Sequence, residues 1–413
     1  NDWASQIAGS PSKSFFYPSV GLSWVPSSTW DLGNAFSYLK LRGSIASVGL
    51  PFPRFLTTPT YEYDATGKIW KDKTHYPIGD LKPERTITYE VGIDARLWKN
   101  ISLSASWYSA DTKNQTFDPA LPPSSSYTTI YLQTGHVRNT GVELSLGYSN
   151  QWRDFGWSSN FTFSWNKNEI VDLASGALNP VTGQPLNLSE LDIKGLGKAK
   201  YILKQGGTLG DLYTTSDLKF NDNGYVEVDK AGNLLLTDEG EQIYLGSVFP
   251  SENLAWRNDF RYKGINLGLL FTGRIGGICY SATQANMDLY GVSEVSAAAR
   301  DAGGVLINGR EMVDAQKWYQ AIGSQSGLPQ YYTYSATNFR LQELSLGYTL
   351  PRKWFRNKMV LTVSFVGRNL WMIYCKAPFD PEAVASTGLS YQGIDYFMMP
   401  SLRSLGFNVK FEF

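Results

Sequence analysis

Few residues in this chain are typed and spaced for covalent chemistry. It has two histidines, His75 and His136, and two cysteines, Cys279 and Cys375. The histidines fall in separate loop-like stretches, and no set of His, Cys and carboxylates stands at metal-ligand spacing. A disulfide between the cysteines is chemically open outside the cytoplasm, but two residues alone do not establish it. Asp and Glu are scattered, with neither a Gly-x-Ser-x-Gly elbow nor a His-Glu-x-x-His pair. No catalytic, metal or cofactor set is therefore expected. The segment from Asp229 to Asn233 superficially resembles a calcium loop. Lys230 and Ala231 sit where oxygen ligands belong, so it reads as a polar turn. What remains is aromatic: Trp318, Tyr331, Tyr332, Tyr334 and Tyr391 lie in loop-like sequence. Such rings can stack on sugars or peptide side chains, or simply pack a loop or a docked lid. Glycan and peptide ligands suit them equally.

The elements that position those rings follow from composition and periodicity. The 413 residues carry 37 basic and 37 acidic side chains, so the net charge is zero. That balance gives no sign of a nucleic-acid partner, which would need a basic patch. Aromatic residues make up 14% of the chain, including 13 Trp and 25 Tyr. Mean hydropathy is −0.26, and no apolar run approaches the ~18 residues of a membrane helix. A membrane β-barrel escapes both tests, because only alternate residues of each strand meet lipid.

Alternation is clearest at 404–413. Leu405, Phe407, Val409, Phe411 and Phe413 form one face; Ser404, Gly406, Asn408, Lys410 and Glu412 form the other. The same rhythm predicts a strand at 15–24, then one at 37–47 with Lys40 and Arg42 on the polar face. A hairpin at 86–97 and 101–108 places Val91 on the apolar face and Glu90, Asp94 and Arg96 on the polar one. Further strands are expected at 141–148 (with Glu143 polar), 157–165, 253–262, 265–274 (with Arg274 polar), 344–350, 359–369 and 404–413. Inward charges are costly in a dry core and cheap in a wet lumen. Long loops at 49–80, 111–137, 276–338 and 371–400, with a less regular stretch at 168–250, alternate with short turns, as in outer-membrane barrels. Trp98, Trp152 and Trp354 sit at the short turns, where an aromatic belt would lie. Helical composition marks 293–299 and 312–321, and a slip of phase between Leu341 and Leu344 predicts a bulge. About a dozen strands result, with no solenoid or propeller repeat.

Four strings then carry a resemblance: Leu81-Lys-Pro-Glu-Arg-Thr86 before a Tyr-Glu-Val-Gly-Ile-Asp strand; Val137-Arg-Asn-Thr-Gly-Val-Glu-Leu144; the run from Phe339 to Pro351; and Gly367-Arg-Asn-Leu370 followed by Phe379-Asp-Pro-Glu382. In this order, ending on Phe413, they resemble the SusC/RagA-type TonB-dependent transporters of Bacteroidota outer membranes. The resemblance implies an all-β fold: a transmembrane antiparallel β-barrel of which residues 1–413 are roughly the C-terminal half. The whole barrel would have 22 strands around a plug, with long extracellular loops. The plug and the TonB-contacting segment are expected in an upstream part or another chain. Implied partners are a SusD-like surface lipoprotein acting as a lid, the TonB complex, the upstream half of the transporter and membrane lipid. The implied function is import of oligosaccharides or oligopeptides, with Phe411 and Phe413 as the barrel-assembly signal. The alternative is a soluble or surface-attached glycan-binding β protein, which would bury the polar-face charges between two sheets.

Overall fold

The computed structural model describes residues 15–50, 62–71, 75–76, 83–117, 127, 129–130, 132–173, 184, 188–237, 240–386, 388 and 391–413. The side chain of His75 and the proline run at 119–123 lie outside these residues. One antiparallel sheet of eleven strands forms the body. Its strands are β1 (Ser19–Trp24), β2 (Phe36–Leu50), β3 (Glu84–Leu97), β4 (Ile101–Phe117), β5 (Leu132–Trp152), β6 (Phe155–Asp172), β7 (Glu252–Tyr262), β8 (Ile265–Ile275), β9 (Asn338–Thr349), β10 (Val360–Cys375) and β11 (Ser404–Glu412). Each strand pairs with its sequence neighbours, so the sheet is a plain meander with β1 and β11 at its two edges. Short turns join strands at one end, as at Arg153–Asp154 and Lys263–Gly264. Left-handed backbone falls on Arg153 at the first hairpin and on Lys263 and Gly264 at the second.

The alternation predicted from sequence sorts the two faces. Leu346, Phe365 and Phe407 follow one another across β9, β10 and β11, and Phe407 is 82% exposed. Val91 pairs with Trp107 on the same outward side. No second layer covers that apolar face among the described residues, so the sheet carries its hydrophobic surface outside, as a lipid-facing wall does. Around the short turns the outward rings join into a belt. Trp152 stacks on Phe155 at 5.9 Å, Trp157 on Phe260 at 6.2 Å, and Tyr148 meets Trp157 at 5.0 Å. Trp98 and Trp354 are also exposed at such turns. The expected bulge is present: Leu270 faces Glu343 and Phe271 faces Leu341, which leaves Gln342 as the extra residue.

Three expectations need correction. The first strand starts at Ser19 rather than Phe15, because Pro18 has no N–H for the ladder. The loop expected at 111–137 is shorter: β4 runs on to Phe117 and β5 begins at Leu132. The alternation fades there because the strands leave the apolar band, yet the ladder needs only backbone groups. The irregular stretch 168–250 holds a four-stranded sheet of Glu190–Leu196, Ala199–Lys204, Asp211–Thr214 and Ile243–Ser247.

That sheet belongs to a cap built from the long loops. Its other parts are the helices Ala282–Leu289, Glu294–Asp301 and Ala315–Ile322, and a three-stranded sheet of Ile278–Ser281, Thr333–Ser335 and Ile394–Asp395. The last two helices match the composition signal; the first was not expected. Each helix starts on a side-chain cap: Ser281 accepts from Gln284 N, Ser293 from Ser296 N, and Asp314 from Lys317 N. The buried hydrophobic core lies here rather than in the wall. Leu203, Leu212, Tyr280, Leu328 and Ile394 pack with the inward tips of β4–β6, Phe117, Val137 and Ile170. The strands thus cross from a lipid-facing band into a water-folded cap without a break.

Candidate functional site

The inner face of the wall is polar, and many of its charges are paired, within a strand or between strands. Arg42 pairs with Glu90 and lies 3.7 Å from Asp94, which accepts from Ser104 Oγ at 2.7 Å. Arg257 holds Asp259 at 2.9 Å and reaches Glu343 at 3.5 Å; Arg368 meets Glu343 at 3.0 Å. These side chains range from 21% exposed at Glu343 to 66% at Arg368, so they line a wet surface. Between them lies a depression of about 370 Å³, bordered by Arg42, Ser104, Glu143, Thr162, Ser164 and Asn253. Lys40, Asp94 and Arg96 share this face by the β2–β3 register, as sequence alternation predicted. Along this wall hydrogen-bonding groups of both signs stand beside small and apolar residues such as Ala255 and Leu270, a lining suited to contact with a polar solute.

At the long-loop end, two of the recognisable strings meet. Arg340, at the start of β9, is buried and forks onto Asp380 with Nη2–Oδ1 at 2.9 Å and Nη1–Oδ2 at 3.1 Å. Its Nη2 also lies 3.0 Å from Glu382, and Glu382 is 3.5 Å from Arg274 on β8. Asn338 Oδ1 accepts from Arg340 Nε at 3.2 Å, and Ser401 donates to Asp380. Burial raises the Asp380 carboxyl, but the Arg340 and Ser401 hydrogen bonds outweigh it and hold the group below the usual carboxylate range. This node pins the loop after β10 to the rim of the wall. Sequence reasoning noticed both strings and missed their contact; the signal was an arginine in one and two acids in the other.

The loop aromatics separate in space. Trp318, on the helix Ala315–Ile322, meets Tyr331 edge-on at 6.1 Å. Tyr331 is 37% exposed, and burial followed by Asp217 pushes its hydroxyl up to about 12. Tyr332 points the other way, into the core, where it is 3% exposed. Burial first and Asp288 second raise its hydroxyl far above the ordinary value. Tyr334 lies edge-on to Phe379 at 5.8 Å, beside the Arg340 node, and Tyr391 is 38% exposed. The structure therefore brings together Trp318 with Tyr331, and Tyr334 with Phe379, but not all five rings. Both cysteines are free thiols; burial above all pushes Cys279 up to about 12. Asp229 accepts from Ala231 N and Asn233 N at 2.8 Å each, which closes a polar turn. Phe411 lies near the end of the outward face of β11 and Phe413 just past it, both exposed.

An eleven-stranded meander with an apolar outside, a polar inside and a loop-built cap at one end defines a wall of an outer-membrane receptor barrel. The comparisons with known proteins agree. The family described as TonB dependent receptor-like, beta-barrel, matches residues 1–249, so the chain belongs to that family. It is 24% identical over 96% of its length to TonB-dependent receptor P3 of Formosa agariphila, and 20% identical over 81% to TonB-dependent receptor SusC of Bacteroides thetaiotaomicron. The RagAB peptide importer in its closed-closed state superimposes with a TM-score of 0.69 at 18% identity, over 97% of this chain and 43% of that one. The fold is of SusC/RagA type. The chain spans less than half of these relatives, 42% of P3 and 32% of SusC.

Proposed function

We propose that this chain forms the C-terminal wall and mouth of an outer-membrane importer of oligosaccharides or oligopeptides in a Bacteroidota bacterium. Upstream sequence, or another chain, supplies the remaining strands, the plug and the segment that contacts TonB. A SusD-like lipoprotein covers the cap. The observation that carries this reading is the division between solvents: one face is built for lipid, the other is lined by paired charges, and the only large hydrophobic core among the described residues closes the long-loop end. A glycan-binding sandwich would need a second sheet over the face that holds Phe407 and Leu405, 82% and 62% exposed.

In this scheme Trp318, Tyr331, Tyr334 and Tyr391 present rings to substrate or lid, and Tyr332 supports them from the core. Phe411 and Phe413 serve as the assembly signal at the barrel seam. The test is native mass spectrometry of the complex, extracted in detergent from its own outer membrane. A lipoprotein partner and a co-purifying glycan or peptide mass are expected, and the mass separates the two substrate classes. A chain released without detergent, with neither partner nor ligand, rules the importer out.

A further inference from the structure

Cross-strand rows on the outward face change character above the apolar band. Val91, Trp107, Val142 and Trp165 form one row from β3 to β6. Two residues further up stand Tyr89, Ser109, Thr140 and Lys167; then Ile87, Asp111, Arg138 and Glu169; then Arg85, Lys113 and His136, with Asp172 opposite His136. Alternation confirms the direction, because the intervening Val137 and Ile170 point inward and are buried in the cap core. Ile101 to Asp111, Tyr148 to Arg138 and Trp157 to Lys167 each span ten residues. At about 3.3 Å per residue and a tilt of roughly 40°, that is about 25 Å along the membrane normal, the height of a lipid-facing band. The charged rows therefore stand level with the headgroups of the outer leaflet.

We infer that β3–β5 hold a phosphate-bearing lipid headgroup of the outer leaflet, bound by Arg85, Lys113 and Arg138. This rests on the membrane-wall reading above. On these three strands the rows carry three permanent cations and His136 against one carboxylate, Asp111; the acids gather on β6 and β7 at Glu169, Asp172 and Glu252. Asp111 accepts from Arg138 Nε at 2.9 Å and meets His136 Nε2 at 2.8 Å, which orients that arginine. Arg85 is steadied by Nε donating to Ser47 Oγ at 2.9 Å. A guanidinium gripped through Nε keeps a fork suited to phosphate oxygens. Lys113 between them is exposed and adds a point charge. Below, Tyr89 and Trp107 offer 46% and 41% of their surface to the chain of the same lipid.

The experiment uses the detergent-purified complex, wild type and Arg85→Gln/Lys113→Gln, with Arg138 and its Asp111 contact kept. Each is titrated with diphosphorylated lipid A, with a phosphate-free galactolipid, or with inorganic phosphate, and adducts are counted by native mass spectrometry. Two cations at a membrane surface correspond to roughly a 30-fold loss of lipid A affinity in the variant, with galactolipid adducts equal in both proteins. Equal lipid A retention overturns the inference. So does displacement of lipid A by millimolar inorganic phosphate, which would mark a free-anion site. Heat-modifiable gel mobility checks that the variant is folded. A wild type that stays dispersed without detergent refutes the membrane wall itself, a result distinct from a detergent-requiring barrel that ignores lipid A.

Discussion

Arg340→Met should release the loop after β10 while leaving the wall intact. The arginine side chain is 4% exposed and that of Asp380 10%, and they share a bidentate contact. Removing one member of such a pair leaves the other charge buried and costs about 3–5 kcal/mol. The Glu382 side chain is 31% exposed, and water can take over its share, so the lower end applies. About 3 kcal/mol is roughly a 150-fold rise in the opening constant of the segment 376–403. Hydrogen exchange on the assembled protein reads this directly, with amides near Glu382 and Ala385 losing protection and those of β7 and β8 unchanged. Arg340→Met/Asp380→Asn should recover most of the loss, because no unpaired charge remains. Acid should mimic the single variant. A carboxyl whose pKa is lowered by folding stabilises fully above its unfolded value, about 3.9, and loses that contribution as pH falls through the lower folded value. Unchanged protection in Arg340→Met, or a double variant as labile as the single, would refute the anchoring argument.

Other perturbations test the wall. Val91→Arg places a charge on the lipid face beside Trp107 and should cost roughly 2–4 kcal/mol at mid-depth, read from refolding titrations in lipid. On that same face Asn258 is buried, and its Oδ1 accepts from Trp157 Nε1 at 3.2 Å. Trp157→Phe should therefore cost about 1–3 kcal/mol, whereas Trp157→Phe with Asn258→Leu should cost less; equal losses would mean that lost ring contact alone matters. Phe413→Ser should lower the assembled fraction in the outer membrane, and normal levels would count against its role as a signal. Tyr331→Ala should weaken ligand binding by about 1 kcal/mol, or fivefold, with cap proteolysis unchanged.

Strand order, faces and even the Gln342 bulge were legible because period-two alternation depends only on which solvent each side meets. The terminal run from Leu405 to Phe413 is the clearest example. Legibility failed where that contrast ends. Asp111, Lys113 and Gln115 continue β4 above the membrane with polar residues on both sides, so they read as loop. The sheet at 190–247 was hidden for the opposite reason: Tyr201, Ile202 and Leu203 are consecutive and all buried, which erases alternation. The site was half legible. Loop aromatics were singled out by type, but the turn Pro329–Tyr332 sends Tyr331 outward and Tyr332 inward, and no spacing rule distinguishes neighbours in a turn. The Arg340–Asp380 contact joins residues forty apart, beyond the reach of local pattern.

The count of strands carries a polarity. With eleven strands in strict antiparallel order, β1 and β11 run in the same direction, from the capped end toward the short turns. An all-antiparallel ring closed on this sheet takes an odd number of additional strands, and both strands that touch its edges must rise toward the cap. A twin of this sheet would offer a descending strand at each joint and meet both edges in parallel, with the six residues of β1 facing the nine of β11. The two rims of the sheet thus work like a key cut on both sides: they accept a complementary arc and reject their own copy.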